Sequence, residues 1–430
     1  MNYTYKQIWL INFPVMMSIL MEQLINITDA IFLGHVGEVE LGASALAGIY
    51  YLAVYMLGFG FSIGLQVMIA RRNGEQHYKE TGRTFFQGVY FLSGMAVILC
   101  LLLHLASPLI LRRLITSDEI YQAVIHYLDW RSFGLLFSFP FLAFRSFLVG
   151  ITTTKALSVA AIMAICINIP FNYLLIFKLN LGISGAAMAS SLAEFGAFIV
   201  LLVYMWVRVD KVKYGLKVVY DGKVLIKLLR ISVWSMLHSF VSVAPWFLFF
   251  VAIEHLGRTE LAISNITRSV STVFFVIVNS FASTTGSLVS NLIGAGQGKE
   301  LFPVCHKVLR LGYAVGFPLI VMALWGNHWI IGFYTNNDEL VRLAFYPFIV
   351  MLLNYAFALP GYVYINAVTG TGKTKLAFIF QLITILVYLI YLYLLSECFH
   401  ASLTVYMTAE YLFVILLGMQ SIIYLKRKSN

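Results

Sequence analysis

The chain has 430 residues, 60% of them hydrophobic and only 11% charged. A soluble domain carries about 25% charged residues, so this composition excludes one, and the lack of strand-like alternation excludes a β-barrel with distinct lumen and lipid faces. The net charge of +10 reads as membrane orientation rather than nucleic-acid binding, because the basic residues gather in particular loops.

Apolar runs long enough to cross about 30 Å of hydrocarbon recur from end to end. They predict helices at 8–33, 43–69, 84–106, 119–147, 155–177, 184–207, 228–253, 261–290, 304–326, 339–366, 374–396 and 401–424. Several are longer than the minimum and would tilt or protrude. The first has one Lys (Lys6) before it and no cleavage site of small residues, and reads as a retained span, not a signal peptide. If the N-terminus is cytoplasmic, the inside segments hold 21 of the 29 Lys and Arg, and the outside loops hold four: Arg112, Arg113, Lys178 and Arg258. Arg131, Arg145, Arg268 and Arg342 lie in or at the ends of helices. This bias predicts an even number of spans, both termini in the cytoplasm and, in a bacterium, an inner-membrane location. The basic stretch 208–230 is expected to lie along the inner leaflet as a linker, with a regulatory role as the alternative. The four cysteines and nine histidines have no metal-ligand spacing, so neither a metal site nor a disulfide framework is expected.

Shifting the sequence by 220 residues superposes its halves without a gap. His35, Gly37, Glu40, Leu41 and Ser44 meet His255, Gly257, Glu260, Leu261 and Ser264; Gly74, Lys79 and Glu80 meet Gly294, Lys299 and Glu300. Asp118 and Glu119 meet Asp338 and Glu339; Pro140, Gly150, Thr154 and Lys155 meet Pro360, Gly370, Thr374 and Lys375. The matches are mostly polar, Gly or Pro, at loops and helix ends, where membrane composition alone does not produce coincidence. The expected fold is therefore all-α, with twelve transmembrane helices in two pseudo-symmetric six-helix bundles related as parallel repeats. The predicted divisions are an N-terminal lobe 1–207, a cytoplasmic linker 208–227, a C-terminal lobe 228–425 and a basic tail 426–430. Two bundles around a central cleft suit alternating access.

An ionisable side chain inside the bilayer needs a reason, because it is costly there. In the first helix Glu22, Asn26 and Asp29 follow i, i+4, i+7 spacing, with Ser18 continuing the stripe. Such a stripe should face protein or water. If Asp29 is buried, desolvation favours its neutral form, and a proton can be released on one side and taken up on the other. The alternative is a carboxylate hydrogen-bonded permanently for helix packing. The fifth helix carries Asn168 and Asn172 around Pro170, whose ring frees a backbone carbonyl. Amide oxygens and that carbonyl can partner an acid or a sodium ion, or serve as interhelical glue. Glu194, Asn265, Arg268 and Glu410 are candidates to line a substrate cavity; packing or interfacial pairs are the alternative. Pro140, Pro170 and Pro360 are candidate hinges, or static bends. The segment Gly370-Thr371-Gly372-Lys373-Thr374 resembles a phosphate-binding loop, but Ala367 stands where the full pattern needs Gly, and no nucleotide-binding strand precedes it. No nucleophile–base or metal constellation is present, so an enzyme and catalytic residues are not expected.

In its motifs the chain resembles the multidrug and toxic compound extrusion (MATE) family, and is most like its DNA-damage-inducible-like prokaryotic branch. The motifs are Pro14 in helix 1, Asp29 followed by "GASALAG", "QVMIARRNGEQ" with its counterpart "SNLIGAGQGKE", "NIPFNYLLIFKLNLGISGAAMASSLA" and "TGTGKTK". The resemblance implies a V-shaped pair of lobes and export of cationic or amphiphilic small molecules against entering protons or sodium ions. Asp29 matches the family's first-helix acid and Asn168 an Asn of its fifth helix. Asn172 departs from the Asp usual in that branch, and carboxylates are missing from the middle of helices 7 and 10. The expected coupling set is Asp29, tuned by Asn168, Asn172, Glu22 and Asn26, with H+ favoured over Na+ and no cofactor or metal. The expected partners are the small-molecule substrate and the lipid bilayer, with no nucleic acid, in a chain acting as a monomer. A flippase for a lipid-linked saccharide, kept open by Arg131 and Arg268, and an uncoupled channel or receptor are the alternative functions.

Overall fold

The computed structural model describes residues 3–115, 117–254, 256, 258–332, 338–398 and 401–429. Two members of the internal repeat, His255 and Gly257, lie outside them. Twelve helical spans are long and apolar enough to cross a membrane. They are α1 (Tyr5–Gly34), α2 (Val39–Gly74), α3 (Tyr78–Arg113), α4 (Asp118–Gly150), α5 (Lys155–Lys178), α6 (Gly182–Arg208), α7 (Gly222–Trp246), α8 (Ile263–Gly294), α9 (Gly298–Trp325), α10 (Glu339–Gly370), α11 (Thr374–Cys398) and α12 (Leu403–Arg427). The chain is a multi-pass membrane protein, and no strand occurs among the described residues. Outward-facing leucines such as Leu105 and Leu109, 72% and 73% exposed, are where lipid tails would lie.

The repeat is written into the backbone. α4 is interrupted at Ser132–Gly134 and α10 at Asn354, again 220 residues apart. α5 and α11 both end in a widened π-type turn, Tyr173–Lys178 and Leu394–Cys398. The closing bonds correspond as well: Leu181 N donates to Leu175 O at 3.0 Å, and Ala401 N to Leu395 O at 3.1 Å. Left-handed residues recur at the same turns, Gln76 with Gly296 and Thr152 with Gly372. Such coincidence in loops and breaks is what a duplicated six-helix unit produces.

The chain forms two compact units, Phe13–Phe240 and, separately, Met1–Asn12 with Val241–Asn430. The boundaries fall inside α1 and α7, so each half's first helix starts in the other half's unit. The packing shows why. In the first unit α7 lies against the Gly60/Gly64 face of α2, where a Cβ on Gly64 would meet Ser232 Cα at 2.7 Å; small residues four apart permit this approach. In the second unit Asn12 of α1 accepts a hydrogen bond from Thr284 of α8 at 3.0 Å. These are the same contact under the repeat, since Gly64 corresponds to Thr284 and Ser232 to Asn12. α7 begins at Gly222, six residues before its predicted start, because Asp221 caps it by accepting from the amides of Lys223 and Val224 at 3.0 and 3.2 Å. The linker before it is tied down rather than loose: buried Gln87 of α3 donates to Val219 O at 2.8 Å and accepts from Asp221 N at 3.1 Å.

Within the first unit α5 and α6 pack against each other, and each buries a run of alanines, Ala156, Ala160 and Ala164 on α5 and Ala186, Ala193 and Ala197 on α6. Close backbone approach there brings short polar side chains into contact. The prolines expected as hinges sit inside helices. The interruptions in α4 and α10 fall about six to eight residues before Pro140 and Pro360, on the side where a proline weakens the preceding turn.

Candidate functional site

Asp29, the last acid of the α1 stripe, is 5% exposed. Its Oδ1 accepts from Asn172 Nδ2 at 2.7 Å and Asn168 Nδ2 at 3.1 Å, and its Oδ2 accepts from the Ser190 hydroxyl. Asn168 Nδ2 also reaches Ser190 Oγ at 3.3 Å, and Asn172 Nδ2 reaches Asn168 Oδ1 at 3.1 Å. Three helices thus close on one carboxyl: α1 supplies the acid, successive turns of α5 the two amides, and α6 the hydroxyl. All four side chains are buried. The donors favour the anion while dry surroundings favour the neutral acid. Ser190 can serve either form, because a hydroxyl rotates between donating and accepting.

Helical geometry sorts the rest of the stripe. At about 100° per residue, Asp29 sits about 20° around α1 from Glu22 but about 60° from Asn26. Glu22 is accordingly partly buried and Asn26 exposed. Glu22 accepts from Tyr55 Oη of α2 at 3.1 Å.

Glu194, one turn beyond Ser190, is held bidentately by Arg131 of α4, Nη1 to Oε2 at 2.9 Å and Nη2 to Oε1 at 2.6 Å. The guanidinium lies 4.2 Å from the Tyr51 ring centroid. The break in α4 makes room for this pair: a Cβ on Gly134 would fall 2.4 Å from both Arg131 Nη1 and Glu194 Oε2. Arg145 of α4, 2% exposed, holds its guanidinium 5.9 Å from the Phe59 ring centroid, and its Nη2 has no hydrogen-bond partner among the described residues.

The other candidates belong to the second unit. Arg268 of α8 donates to Glu410 of α12 at 2.6 Å, Tyr388 of α11 donates to the same oxygen at 3.3 Å, and the guanidinium lies 4.1 Å from the Phe249 centroid. Asn265, one turn earlier on α8, is exposed. Under the offset of 220, Phe249, Tyr388 and Glu410 are the counterparts of Asp29, Asn168 and Ser190. The two clusters therefore occupy one place in two copies of one scaffold.

Sequence reasoning named Asp29, Asn168, Asn172, Glu22 and Glu194 in the first unit, and these do gather there. It missed Ser190 as a ligand of Asp29, Tyr55 as the partner of Glu22 and Arg145 as a buried charge. Ser190 was discoverable from its position one turn before Glu194, and Arg145 from being a cation within an apolar helix. Tyr388 and Phe249 could have been found only by carrying the repeat onto Asn168 and Asp29.

The family model described as MatE matches residues 14–174 and again 235–394. A probable multidrug resistance protein NorM of Idiomarina loihiensis is 22% identical over 353 residues, covering 77% of this chain and 73% of the relative. Multidrug and toxin extrusion protein 1 of Mus musculus is 24% identical over 374 residues, 84% of this chain and 64% of its own length. Among solved structures, the eukaryotic MATE transporter AtDTX14 has a TM-score of 0.86 at 18% identity, covering 99% of this chain and 97% of its own. A MOP superfamily transporter from Pyrococcus furiosus, described for the reverse polarity of its binding pocket, has a TM-score of 0.90 at 16% identity, covering 99% and 96%.

Proposed function

This chain belongs to the MatE family of membrane transporters, and on that premise we propose that it is a secondary active antiporter in a bacterial inner membrane, exporting organic cations or amphiphilic drugs in exchange for protons. Asp29 is the coupling carboxylate. The observation that carries this reading is the closure of Asn168, Asn172 and Ser190 on a buried Asp29. A carboxyl so placed can hold a proton, or stand ionised and attract a cation, but not both. Protonation and substrate binding then favour different states of the two-bundle transporter, and each weakens the other.

The same contacts support a proton over sodium. A sodium ion needs oxygen ligands, yet both amides turn their NH2 edges to Asp29 Oδ1. Arg131 and Arg268 are each already engaged by a glutamate, which weakens the flippase reading that free cations would support.

The test is efflux of a fluorescent organic cation from reconstituted vesicles under separate proton and sodium gradients. Asp29→Asn should remove transport driven by the pH gradient while the purified variant keeps its elution profile and thermal midpoint. Full pH-driven transport by that variant removes Asp29 from the mechanism.

A further inference from the structure

We propose that a groove between α5 and α6, on the surface of the first unit, binds one anionic phospholipid. An acyl chain lies along the groove and the phosphate sits between Lys155 and Arg208. The groove holds about 420 Å³, and its walls include Val159 of α5 and Ile199, Val203 and Val207 of α6. Val159, Val203 and Val207 are 55%, 53% and 68% exposed, so in a membrane-spanning helix pair they meet lipid tails. What singles this surface out is its end. Lys155 opens α5 and Arg208 closes α6, and both line the same mouth of the groove. Both side chains are exposed, and neither forms an ion pair among the described residues. Asp210, the acid just beyond Arg208, turns its Oδ1 to the amides of Val212 and Lys213 at 3.0 and 2.9 Å.

Two cations at the mouth of an apolar groove match a ligand that is apolar along its length and anionic at one end. The depth agrees. Trp206, 72% exposed, stands two residues before Arg208, with Lys211 Nζ 3.8 Å from its ring centroid. Exposed tryptophan settles at the level of lipid head groups, and long basic side chains lay their stems on apolar surface while the charge reaches the phosphates. Basic pockets between transmembrane helices take anionic head groups in this way. A zwitterionic head group brings its own ammonium, which two cations repel. The second unit differs along the same wall. Under the offset of 220, Ala156 and Ala160 become Leu376 and Phe380, and the Phe380 ring lies 6.3 Å from that of Tyr424, the counterpart of groove-lining Tyr204. The alanines keep the wall low only in the first unit. Lipid binding there stands apart from the antiport reading, since no transported substrate needs to enter the groove.

The experiment is native mass spectrometry of the full-length protein released from detergent. It is titrated separately with dioleoyl phosphatidylglycerol and dioleoyl phosphatidylethanolamine, which share their acyl chains. The first phosphatidylglycerol adduct should form at a lipid concentration lower by about fivefold or more. Lys155→Gln combined with Arg208→Gln should weaken phosphatidylglycerol binding by about tenfold or more and erase the preference, with the thermal midpoint unchanged because both side chains are exposed. Val203→Trp fills the groove from its exposed wall and should weaken both lipids, although the two cations remain. Lys217→Gln combined with Lys223→Gln removes the same charge from nearby exposed positions and should leave the preference intact. Inorganic phosphate should not displace the lipid. Equal binding of the two lipids by the unmodified protein, or a preference that survives the loss of Lys155 and Arg208, overturns the site. So does a preference lost as fully in the Lys217 and Lys223 variant, which would mean diffuse attraction to a basic surface. Unchanged binding in Val203→Trp, or displacement by phosphate, removes the groove from the site and overturns it as well.

Discussion

The two units carry one backbone and opposite chemistry at the same place in it. In the first, Asp29 meets neutral donors on α5 and α6; in the second, Phe249 stands at the acid's position and the acid has moved to α12 as Glu410, with Arg268 tethered to it. A carboxyl whose partners are neutral can exchange its counter-ion. One whose counter-ion is a side chain of the same fold keeps it. On the proposed reading, one scaffold serves two functions, and the mobile charge is confined to the copy of the repeat that carries Asp29.

The sharpest way to break this contrast is to neutralise both sites in turn. Asp29→Asn should reduce pH-driven efflux to background, whereas the double change Arg268→Gln with Glu410→Gln should retain it within a few-fold, since a buried pair replaced as a unit is often near neutral in effect. The reverse pattern would place the mobile charge in the second unit. Single changes in the second unit should act on stability instead. Arg268→Gln leaves Glu410 without its counter-ion and should cost about 3 kcal/mol, the lower end for a broken buried pair, because the Glu410 side chain keeps 19% exposure. The double variant should recover much of that loss in a thermal unfolding measurement in detergent. No recovery would mean that the pair is not an energetic unit.

The same comparison explains what the sequence made legible. The offset of 220 was visible because loops and helix ends constrain side chains: a Cβ on Gly150 would strike Ile69 and one on Gly370 the Gly286 carbonyl, Asp118 and Asp338 open their helices, and Pro140 and Pro360 follow the interruptions. Those requirements survive when apolar faces drift. Helix limits were less visible. Hydropathy reports bilayer thickness, not helix length, so the predicted 43–69 became Val39–Gly74 once polar turns outside the membrane were included. Asp29 with Asn168 and Asn172 was legible as two polar stripes with helical spacing. The ion pairs were not, because their members stand 63 and 142 residues apart and only packing selects which Arg meets which Glu. The exchange of helix starts between units was also hidden, since Gly64 and Thr284 or Asn12 and Ser232 share no residue type.

That exchange gives the next prediction. Gly64→Ala puts a methyl group 2.7 Å from Ser232 Cα and should destabilise the first unit by about 1–3 kcal/mol, as overpacking does. At the corresponding contact, Thr284→Val removes the donor to Asn12 Oδ1, which is buried, and should cost about 1–2 kcal/mol. A Gly64→Ala protein as stable as its parent would show that α2 and α7 can separate without penalty, and that the swapped starts are not what fastens each unit.

The smallest expected effect distinguishes the two proline-containing turns. Pro360 cannot bond the carbonyl of Ala356, and in the second unit the Tyr313 hydroxyl takes that carbonyl at 2.7 Å. The counterpart of Tyr313 in the first unit is Ser93, and no side chain among the described residues donates to the Leu136 carbonyl that Pro140 leaves free. The proline turn in α10 is thus tied to α9, and among the described residues no such side-chain tie is made to the proline turn in α4. Tyr313→Phe should cost about 1 kcal/mol, the worth of one hydrogen bond, and should raise amide exchange across 353–366 toward the level of 133–146. If exchange is already equal in the unmodified protein, the hydroxyl does not restrain α10. If it is slower in 353–366 and the variant removes the difference, the more yielding proline turn lies in the unit that carries Asp29, within the helix that supplies both Arg131 and Arg145.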